Sequence, residues 1–526
     1  MHMRVKPLPR TAPVPVPAAG PRLARPDTHD GRSSGPLWFA LYLPELPLEA
    51  LCRGAGPGSP LVVTADVSTR TLVVAANNGA KAVGVRAGMC LTAACALAPE
   101  LAVLRRDQAE ETVALDGLAA WSGQFTSFTS IEHQGLLLEI GGSLKLFGGL
   151  EALCRRVKAG VRMLGYNAAT AVGPTPSGAW LLARAGFDVP AVSPALLFGR
   201  LAPVPVEYLD LPIRALEDLR RMGVRSFGDC CRLPRDGLAR RISPRLVALL
   251  DRALGRRPDP RRSYTPPLVF ERCINLSFEI RDTAALLAAA RLLINELCGF
   301  LSARAGGVQD LEIHLAHRRV FATRLTLSLA APGRDADQLL MLLEARMARI
   351  TLTEPVISVG IRATEIHTLA PGNHDLYAPP SEAGWDWKTL LAHLQARLSV
   401  ACVYGLDTHV DHRPERAWQA KNSRGQFLRT AFHKEDPAQK ADGFFPRRPF
   451  WLLKSPRRLP VTAGGIPRWH GELALRSGPE RIESGWWDDA HIARDYYVAA
   501  NPRNQLCWIF RELGASRGWY LHGLFG

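Results

Sequence analysis

Residues 125–149 read FTSFTSIEHQGLLLEIGGSLKLFGG, and how this stretch folds decides the rest of the chain. Leu136, Leu137, Leu138 and Ile140 form a short continuous apolar run, as expected of a strand buried on both faces. Gly141-Gly142 supplies a turn, and Ser143 to Gly149 opens a stretch with helical spacing. A strand pair in mid-sheet presents a few polar side chains at a cleft, and here these are Ser130, Glu132, His133 and Glu139. They form a metal site, or the remains of one.

Composition bounds the partners. At 526 residues the chain is long enough for three or four domains, each with its own core. Hydrophobic content of 47% and charged content of 22% are ordinary for soluble protein. Lys and Arg number 65 against 49 acids, a net charge of +16, which points to a polyanion, nucleic acid ahead of an acidic membrane surface. The 10 cysteines form no CxxC pair, so neither a zinc ribbon nor a redox motif is expected. They read as reduced, mostly buried thiols of a cytoplasmic protein. No apolar run is long enough to cross a bilayer, and no membrane partner is expected.

On either side of the opening stretch the pattern is mixed. Residues 1–35 hold seven prolines and six Lys/Arg against two acids, a disordered basic arm. Trp38 to Leu43 is a buried strand ended by Pro44-Glu45-Leu46-Pro47. Leu61 to Val63 and Leu72 to Ala76 form a hairpin, and an Ala/Leu helix ends near Pro99. Helices over about 108–123 and up to Leu164, a strand at 168–172 and a helix at 177–185 complete a unit with one main sheet over 36–200.

Proline-rich residues 201–212 open a helical, basic unit over 201–265. Within it Leu216 to Asp229 reads as a helix, a glycine hairpin and a second helix. Such a unit binds a DNA phosphate through backbone N–H groups, and Arg220, Arg221, Gly223, Arg225 and Gly228 are its candidates. Arg240 and Arg241 add charge. Residues 266–370 give strands near 268–279, 308–316, 319–329 and 353–366 and helices near 282–304 and 335–349, the split βαβ order βαββαβ. One face of that sheet is free to lie along a nucleic-acid backbone. A linker at 371–384 follows. Region 385–526 carries nine of the 12 tryptophans, with a loose polar segment at 411–447 and a small antiparallel β domain of hairpins from about 449. Exposed Trp486-Trp487 suits a protein partner.

Several motifs, taken in order, resemble the Y-family (translesion) DNA polymerases. Asn78-Gly-Ala-Lys81…Gly84-Val…Gly88-Met89 is similar to their Tyr-x-Ala-Arg…Gly-Val…Gly-Met signature. Ser130-Ile-Glu132-His133…Leu-Glu139-Ile…Leu-Phe147-Gly is similar to Ser-Ile-Asp-Glu…Leu-Asp…Leu-Phe-Gly, and Thr170 to Gly173 with Leu182-Ala-Arg184 to Gly-Ile-Ala…Leu-Ala-Lys. The resemblance implies an α+β multidomain fold: palm and fingers at 36–200 (fingers about 50–100), thumb at 201–265 and little finger at 266–370, with a mostly β C-terminal region added.

The departures decide the activity. Nucleotide transfer needs two Mg²⁺ ions held by carboxylates. Here Tyr42 and Pro44 stand at the acidic positions of the first strand, and His133 replaces the acid beside Glu132. Asn78 stands for the Tyr, Lys81 for the Arg, and Ala179 or a neighbour for a Lys that would meet a triphosphate. No cofactor is expected; Mg²⁺ enters only in the alternative of an active translesion polymerase that recruits Glu45, Glu132 and Glu139. The whole chain, including Asp411-His-Arg-Pro-Glu-Arg-Ala-Trp418 and Gly478 to Trp487, resembles the bacterial ImuB family, Y-family relatives without the catalytic carboxylates. That resemblance implies damage-induced mutagenesis through four partners: DNA, the β sliding clamp, an error-prone C-family polymerase and an ImuA-type RecA-like protein. Asn373-His-Asp375-Leu376-Tyr377 resembles the clamp-binding peptide Gln-x-Asp-Leu-Phe, its amide and apolar pair suiting a pocket. Gln338 to Leu342 is a rival that reads better as helix core. A blander third reading is a DNA-binding repair factor that works without the clamp.

Overall fold

The computed structural model describes residues 35–53, 59–67, 69–188, 190–369, 387–398, 402–403, 405–408, 411–421, 448–449, 451–488, 490–514 and 517–526. The basic arm and the clamp-type residues Asn373, Asp375, Leu376 and Tyr377 lie outside them.

The first unit runs β1 (Trp38–Tyr42), α1 (Leu46–Cys52), β2 (Leu61–Val67), β3 (Arg70–Ala76), α2 (Asn78–Ala82), α3 (Leu91–Leu97), β4 (Ala102–Arg105) and α4 (Gln108–Ser122). It continues through β5 (Thr129–Glu132), β6 (Gly135–Glu139), α5 (Leu150–Met163), β7 (Ala169–Gly173), α6 (Pro176–Arg184) and α7 (Pro194–Leu201). Its main sheet has the order β5-β6-β1-β7, and the opening stretch supplies β5 and β6. Leu136 and Leu138 pack on one face with Phe39, Leu41 and Trp121, while Leu137 enters the other with Ala40 and Ala171. Burial on both faces is why the run is apolar without alternation.

Three local expectations are corrected. Helix α5 begins at Leu150, because Gly148 and Gly149 adopt positive φ and residues 144–148 are turns; Leu146 there is 80% exposed. Helix α1 was hidden by Pro47, which reads as a breaker but sits in the first turn, where its missing N–H costs nothing. Strand β4 pairs in parallel with β2, making the expected hairpin a three-stranded sheet, β3-β2-β4.

Four short helices follow: α8 (Ile213–Arg221), α9 (Phe227–Arg232), α10 (Arg235–Arg241) and α11 (Pro244–Ala253). They share a core with α6 and α7 around Leu197, Leu219, Phe227 and Leu250. The split unit then appears with the expected order: β8 (Phe270–Ile280), α12 (Thr283–Ala303), β9 (Gly306–His317), β10 (Thr323–Gly333), α13 (Ala336–Met347), β11 (Val356–Ala363) and a short β12 (His367–Thr368). Its sheet order is β10-β9-β11-β8, with both helices on one face. Leu339 and Leu342 of the rival clamp peptide are core residues of α13.

Helix α12 corrects the expectation that no run could span a membrane. Its 21 residues are long and apolar enough by length and composition, but Leu293, Ile294, Leu297 and Phe300 fill the core of the split unit. Its Ala/Leu text comes from burial between a sheet and α4. A further helix, α14 (Trp387–Leu398), packs on α13 and β10, so a helix from the region expected at 385–526 joins the split unit expected to end at 370. The cysteines form no disulfide, yet only Cys230 and Cys507 are buried, against the expectation of mostly buried thiols.

The C-terminal region contains a two-stranded pair, β13 (Gly405–Thr408) with β14 (Trp418–Lys421), and five antiparallel strands. These are β15 (Trp451–Arg458), β16 (Ala474–Ser484), β17 (Ile492–Ala500), β18 (Leu506–Glu512) and β19 (Trp519–Leu524), ordered β15-β19-β18-β17-β16. Residues 411–418 are not loose. Arg413 is 3% exposed and its guanidinium spans Asp411 and Asp488, both at 2.7 Å, while Glu415 pairs with Arg494 at 2.9 Å. The quoted C-terminal motifs are therefore one structural node.

Candidate functional site: the altered sheet end and the basic helices

Glu132, Gly135, Tyr42 and Ala169 lie side by side across the end of the main sheet, one residue from each strand. Gly135 is needed there: a Cβ would sit 1.9 Å from the Leu41 carbonyl oxygen. Tyr42 donates its hydroxyl to Gln134 Oε1 at 3.2 Å and sets its ring edge-on to Trp180. Pro44 and His133 are exposed and bring no carboxylate. His133 and Glu132 line an open cleft of about 400 Å³ with Arg106, Glu111 and Asp116.

The Glu132 carboxylate is already occupied. Arg261, in the chain between α11 and β8, places Nη1 3.3 Å from both of its oxygens. Nη2 of the same guanidinium donates to Asp259 Oδ2 at 2.9 Å and to Ser177 Oγ at 3.0 Å. Asp259 Oδ2 in turn accepts from the Ser177 N–H at 3.0 Å and its hydroxyl at 2.7 Å, at the N-terminus of α6. The positive end of the helix dipole favours a carboxylate at that spot. Burial pushes the Glu132 carboxyl above its usual range, and Arg261 pulls it back down.

A pair of Mg²⁺ ions needs several oxygens in near-octahedral array. The residues present do not fit one. Tyr42, Pro44 and His133 supply none of the carboxylates; of the expected positions only Glu132 brings one, and it faces a guanidinium. No cluster of three His, Cys, Asp or Glu suited to a metal occurs among the described residues. Nor do the carboxylates of the alternative reading converge. Glu139 lies at the opposite end of β6 and accepts the Leu37 and Gly141 N–H groups, about 13 Å along the strand from Gly135. Glu45 forms an ion pair with Lys81.

That pair also changes the expected triphosphate contacts. Lys81 is neutralised by Glu45 beside an open pocket of about 260 Å³, lined also by Pro44, Val85 and Arg86. Asn78 is exposed, while its neighbour Asn77 does the structural work: its Oδ1 caps α2 through the Ala80 N–H at 2.8 Å. Ala179 is buried. Sequence reasoning missed Asn77, Ser177, Asp259 and Arg261. The first two carried a legible signal, Asn-x-x-Ala before a helix and Thr-Pro-Ser at a helix start. The last two lay in a segment read only as a linker.

The expected helix-hairpin-helix forms between α8 and α9, with Gly223 at φ 78°. Its backbone donors are spent internally. Gly223 and Val224 donate to the Arg220 and Leu219 carbonyls, and Phe227 and Gly228 to those of Val204 and Ala202. The Arg225 and Ser226 N–H groups both donate to Asp229 Oδ2, at 3.2 and 3.1 Å. Bonding to Ser226 and the Arg225 N–H holds the Asp229 carboxyl below its usual range, so an acid of the chain itself takes these donors. Arg220 pairs with Glu207 at 2.8 Å and Arg221 with Asp218 at 3.5 Å, leaving Arg225 exposed.

The next hairpin differs. Arg240, Arg241 and Arg245 surround the α10–α11 turn, and Arg256, Arg257 and Arg262 follow; all six are exposed and in no ion pair among the described residues. Unpaired positive charge is concentrated there. By contrast the open face of the split sheet is mixed: Arg362 sits between Glu312 and Glu271 in the strand register, and Asp310 bonds Ser328. Acids on that face oppose a phosphate backbone.

Residues 56–184 match the model of the "impB/mucB/samB family". The chain is 29% identical over 476 residues to Protein ImuB of Caulobacter vibrioides strain NA1000 / CB15N, covering 84% of this chain and 100% of the relative. The same protein of strain ATCC 19089 / CIP 103742 / CB 15 matches equally. Among solved structures, DinB from Sulfolobus solfataricus is similar at 15% identity and TM-score 0.36, over 64% of this chain and 100% of that one. A Y-family polymerase chimera, Dbh-Dpo4(243-245)-Dbh, is similar at 15% identity and TM-score 0.37, over 62% and 98%. Residues 56–184 are thus similar to the impB/mucB/samB family, and the chain is similar to Protein ImuB over most of its length.

Proposed function

We propose that this chain is a non-catalytic, polymerase-like scaffold in damage-induced mutagenesis and translesion synthesis. One observation carries the reading: Glu132, the remaining carboxylate of the expected pair, is bound on both oxygens by Arg261. A carboxylate held this way is not available to order two metal ions for in-line transfer. The likeness to Protein ImuB over most of the chain supports the same role.

In this reading DNA meets the arginines around the α10–α11 turn and the segment after it, through phosphates and without base readout. The peptide Asn373-His-Asp375-Leu376-Tyr377 docks on the β sliding clamp, its Leu and Tyr filling an apolar pocket. The C-terminal region recruits the error-prone C-family polymerase and the ImuA-type RecA-like partner. Trp486 and Trp487, 78% and 57% exposed and edge-to-face at 5.3 Å, have the composition of an interface anchor. The protein works in the cytoplasm, at the nucleoid.

Primer extension by the purified chain with Mg²⁺ or Mn²⁺ tests the proposal. No template-dependent incorporation is expected. Incorporation that Glu132→Ala abolishes would sink the scaffold reading and establish the active-polymerase alternative.

A further inference from the structure

Residues 254–269 join the last helix of the basic unit to the first strand of the split unit. The shortest account of such a segment is a passive tether. Its contacts say otherwise. Asp259 is bound by the Ser177 N–H and hydroxyl at the start of α6, and by Arg252 at 3.8 Å. Arg261 is bound to Glu132, Asp259 and Ser177. Three residues later the Tyr264 N–H donates to the Thr129 carbonyl at 2.7 Å, and its hydroxyl reaches the Asp116 carbonyl at 3.1 Å. The segment is therefore pinned at three successive places to α6, β5 and α4.

The two charged side chains have complementary roles. The Asp259 carboxylate fills a helix N-terminus that would otherwise attract an external anion. The Arg261 guanidinium fills the space before Glu132 that would otherwise attract an external cation. Arg261, Glu132 and Asp259 are 21%, 17% and 10% exposed, so the network lies mostly out of water, where a fork of charged hydrogen bonds gains strength. The neighbouring arginines 256, 257 and 262 instead point to solvent. One arginine in this run is turned inward because it has acids to meet.

We infer that residues 259–264 are a built-in strap: Asp259 and Arg261 occupy the former ligand site as an internal anion and cation, locking the basic helices and the split unit onto the main sheet. Glu132 acts in this lock as the positioning residue for Arg261. The site has become an interdomain fastening, which gives its remaining carboxylate a purpose other than metal binding. The inference rests on the scaffold reading for its purpose but not for its geometry, and the primer-extension result does not depend on it.

The experiment is limited trypsin cleavage of the full chain at the Arg262–Ser263 bond, in the wild type, Glu132→Gln, Arg261→Gln and the double variant. Cleavage of a folded protein follows the population of locally opened states. Each single variant should raise the cleavage rate about tenfold, which corresponds to about 1.4 kcal/mol of local opening. The double variant should cleave no faster than Arg261→Gln alone, because Glu132 has already lost its partner there. Glu132→Gln is isosteric and keeps the fold, so loss of folding in Arg261→Gln leaves the comparison with wild type intact. A Glu132→Gln rate within twofold of wild type overturns the inference, and so do single-variant effects that multiply in the double variant.

Discussion

Arg53 and Glu296, 243 residues apart in sequence, meet at 2.9 Å in an ion pair buried between α1 and α12. The same Arg53 nitrogen donates to the Tyr166 hydroxyl at 2.8 Å, and Arg272 approaches the other Glu296 oxygen at 3.2 Å. One carboxylate thus ties α1, the loop before β7, β8 and α12 together. At 2% exposure Glu296 cannot rely on water if its partners are lost. Glu296→Ala leaves two buried guanidiniums uncompensated and should destabilise the chain by about 3–5 kcal/mol. Denaturant unfolding measures the loss, and Arg53→Met with Glu296→Met together should recover only part of it, because Arg272 still lacks its acid.

The helices beside that pair approach closely through glycine. A Cβ at Gly117 would lie 2.1 Å from Glu296 Oε1, and one at Gly299 would lie 2.0 Å from Trp121 Cδ1. Gly117→Ala or Gly299→Ala should therefore push α4 and α12 apart and cost about 1–3 kcal/mol, read as a drop in Tm.

Glu49 sits one turn before Arg53 on α1. Its Oε1 accepts the Asn167 N–H at 2.7 Å, while Oε2 is buried without a partner among the described residues. Burial raises its carboxyl to about 7; the Asn167 N–H opposes this, nearby Glu45 adds to it and Lys81 subtracts. A folded-state value above the unfolded one means that the folded chain holds the proton more tightly. Stability is thus full below about 4.5 and falls as pH rises towards about 7, by up to about 3 kcal/mol. Glu49→Gln should flatten that limb and stabilise the protein at pH 8 by about 1–2 kcal/mol, measured by urea unfolding across pH.

His522 gives the opposite slope. It is fully buried, its Nδ1 is 2.8 Å from the Tyr496 hydroxyl, and it stacks on Trp508. Burial depresses its value to about 4; Glu415, 3.8 Å from Nε2, opposes this and Arg494 adds to it. The folded sheet keeps the ring neutral. Stability present above about 6.5 is lost as pH falls towards about 4, by up to about 3 kcal/mol. His522→Phe should remove this acid limb from the unfolding of the C-terminal sheet, followed by tryptophan fluorescence.

The proposed DNA contact rests on the exposed arginines of the α10–α11 turn, which carry no ion pair among the described residues. Arg240→Ala, Arg241→Ala and Arg245→Ala together should lower the salt dependence of DNA binding by about two to three in log–log slope, whatever the base sequence. Arg220→Ala with Arg221→Ala should change it far less, because Glu207 and Asp218 already hold those charges. Fluorescence anisotropy over a salt series distinguishes the two.

The sequence by itself determined the parts whose pattern is local. The βαββαβ order is carried by alternating strands and an Ala/Leu helix, and the C-terminal hairpins by short aromatic runs between turns. That Tyr42, Pro44 and His133 bring no carboxylate is equally local, since it holds wherever they are placed. Only the tertiary structure decided which partners these groups meet. Arg261 reaches Glu132 across 129 residues, Asp229 takes up the hairpin's free donors, and Glu296 recruits an arginine from another unit. Such pairings depend on the path of the chain between units, and no periodicity of 2 or 3.6 residues records it.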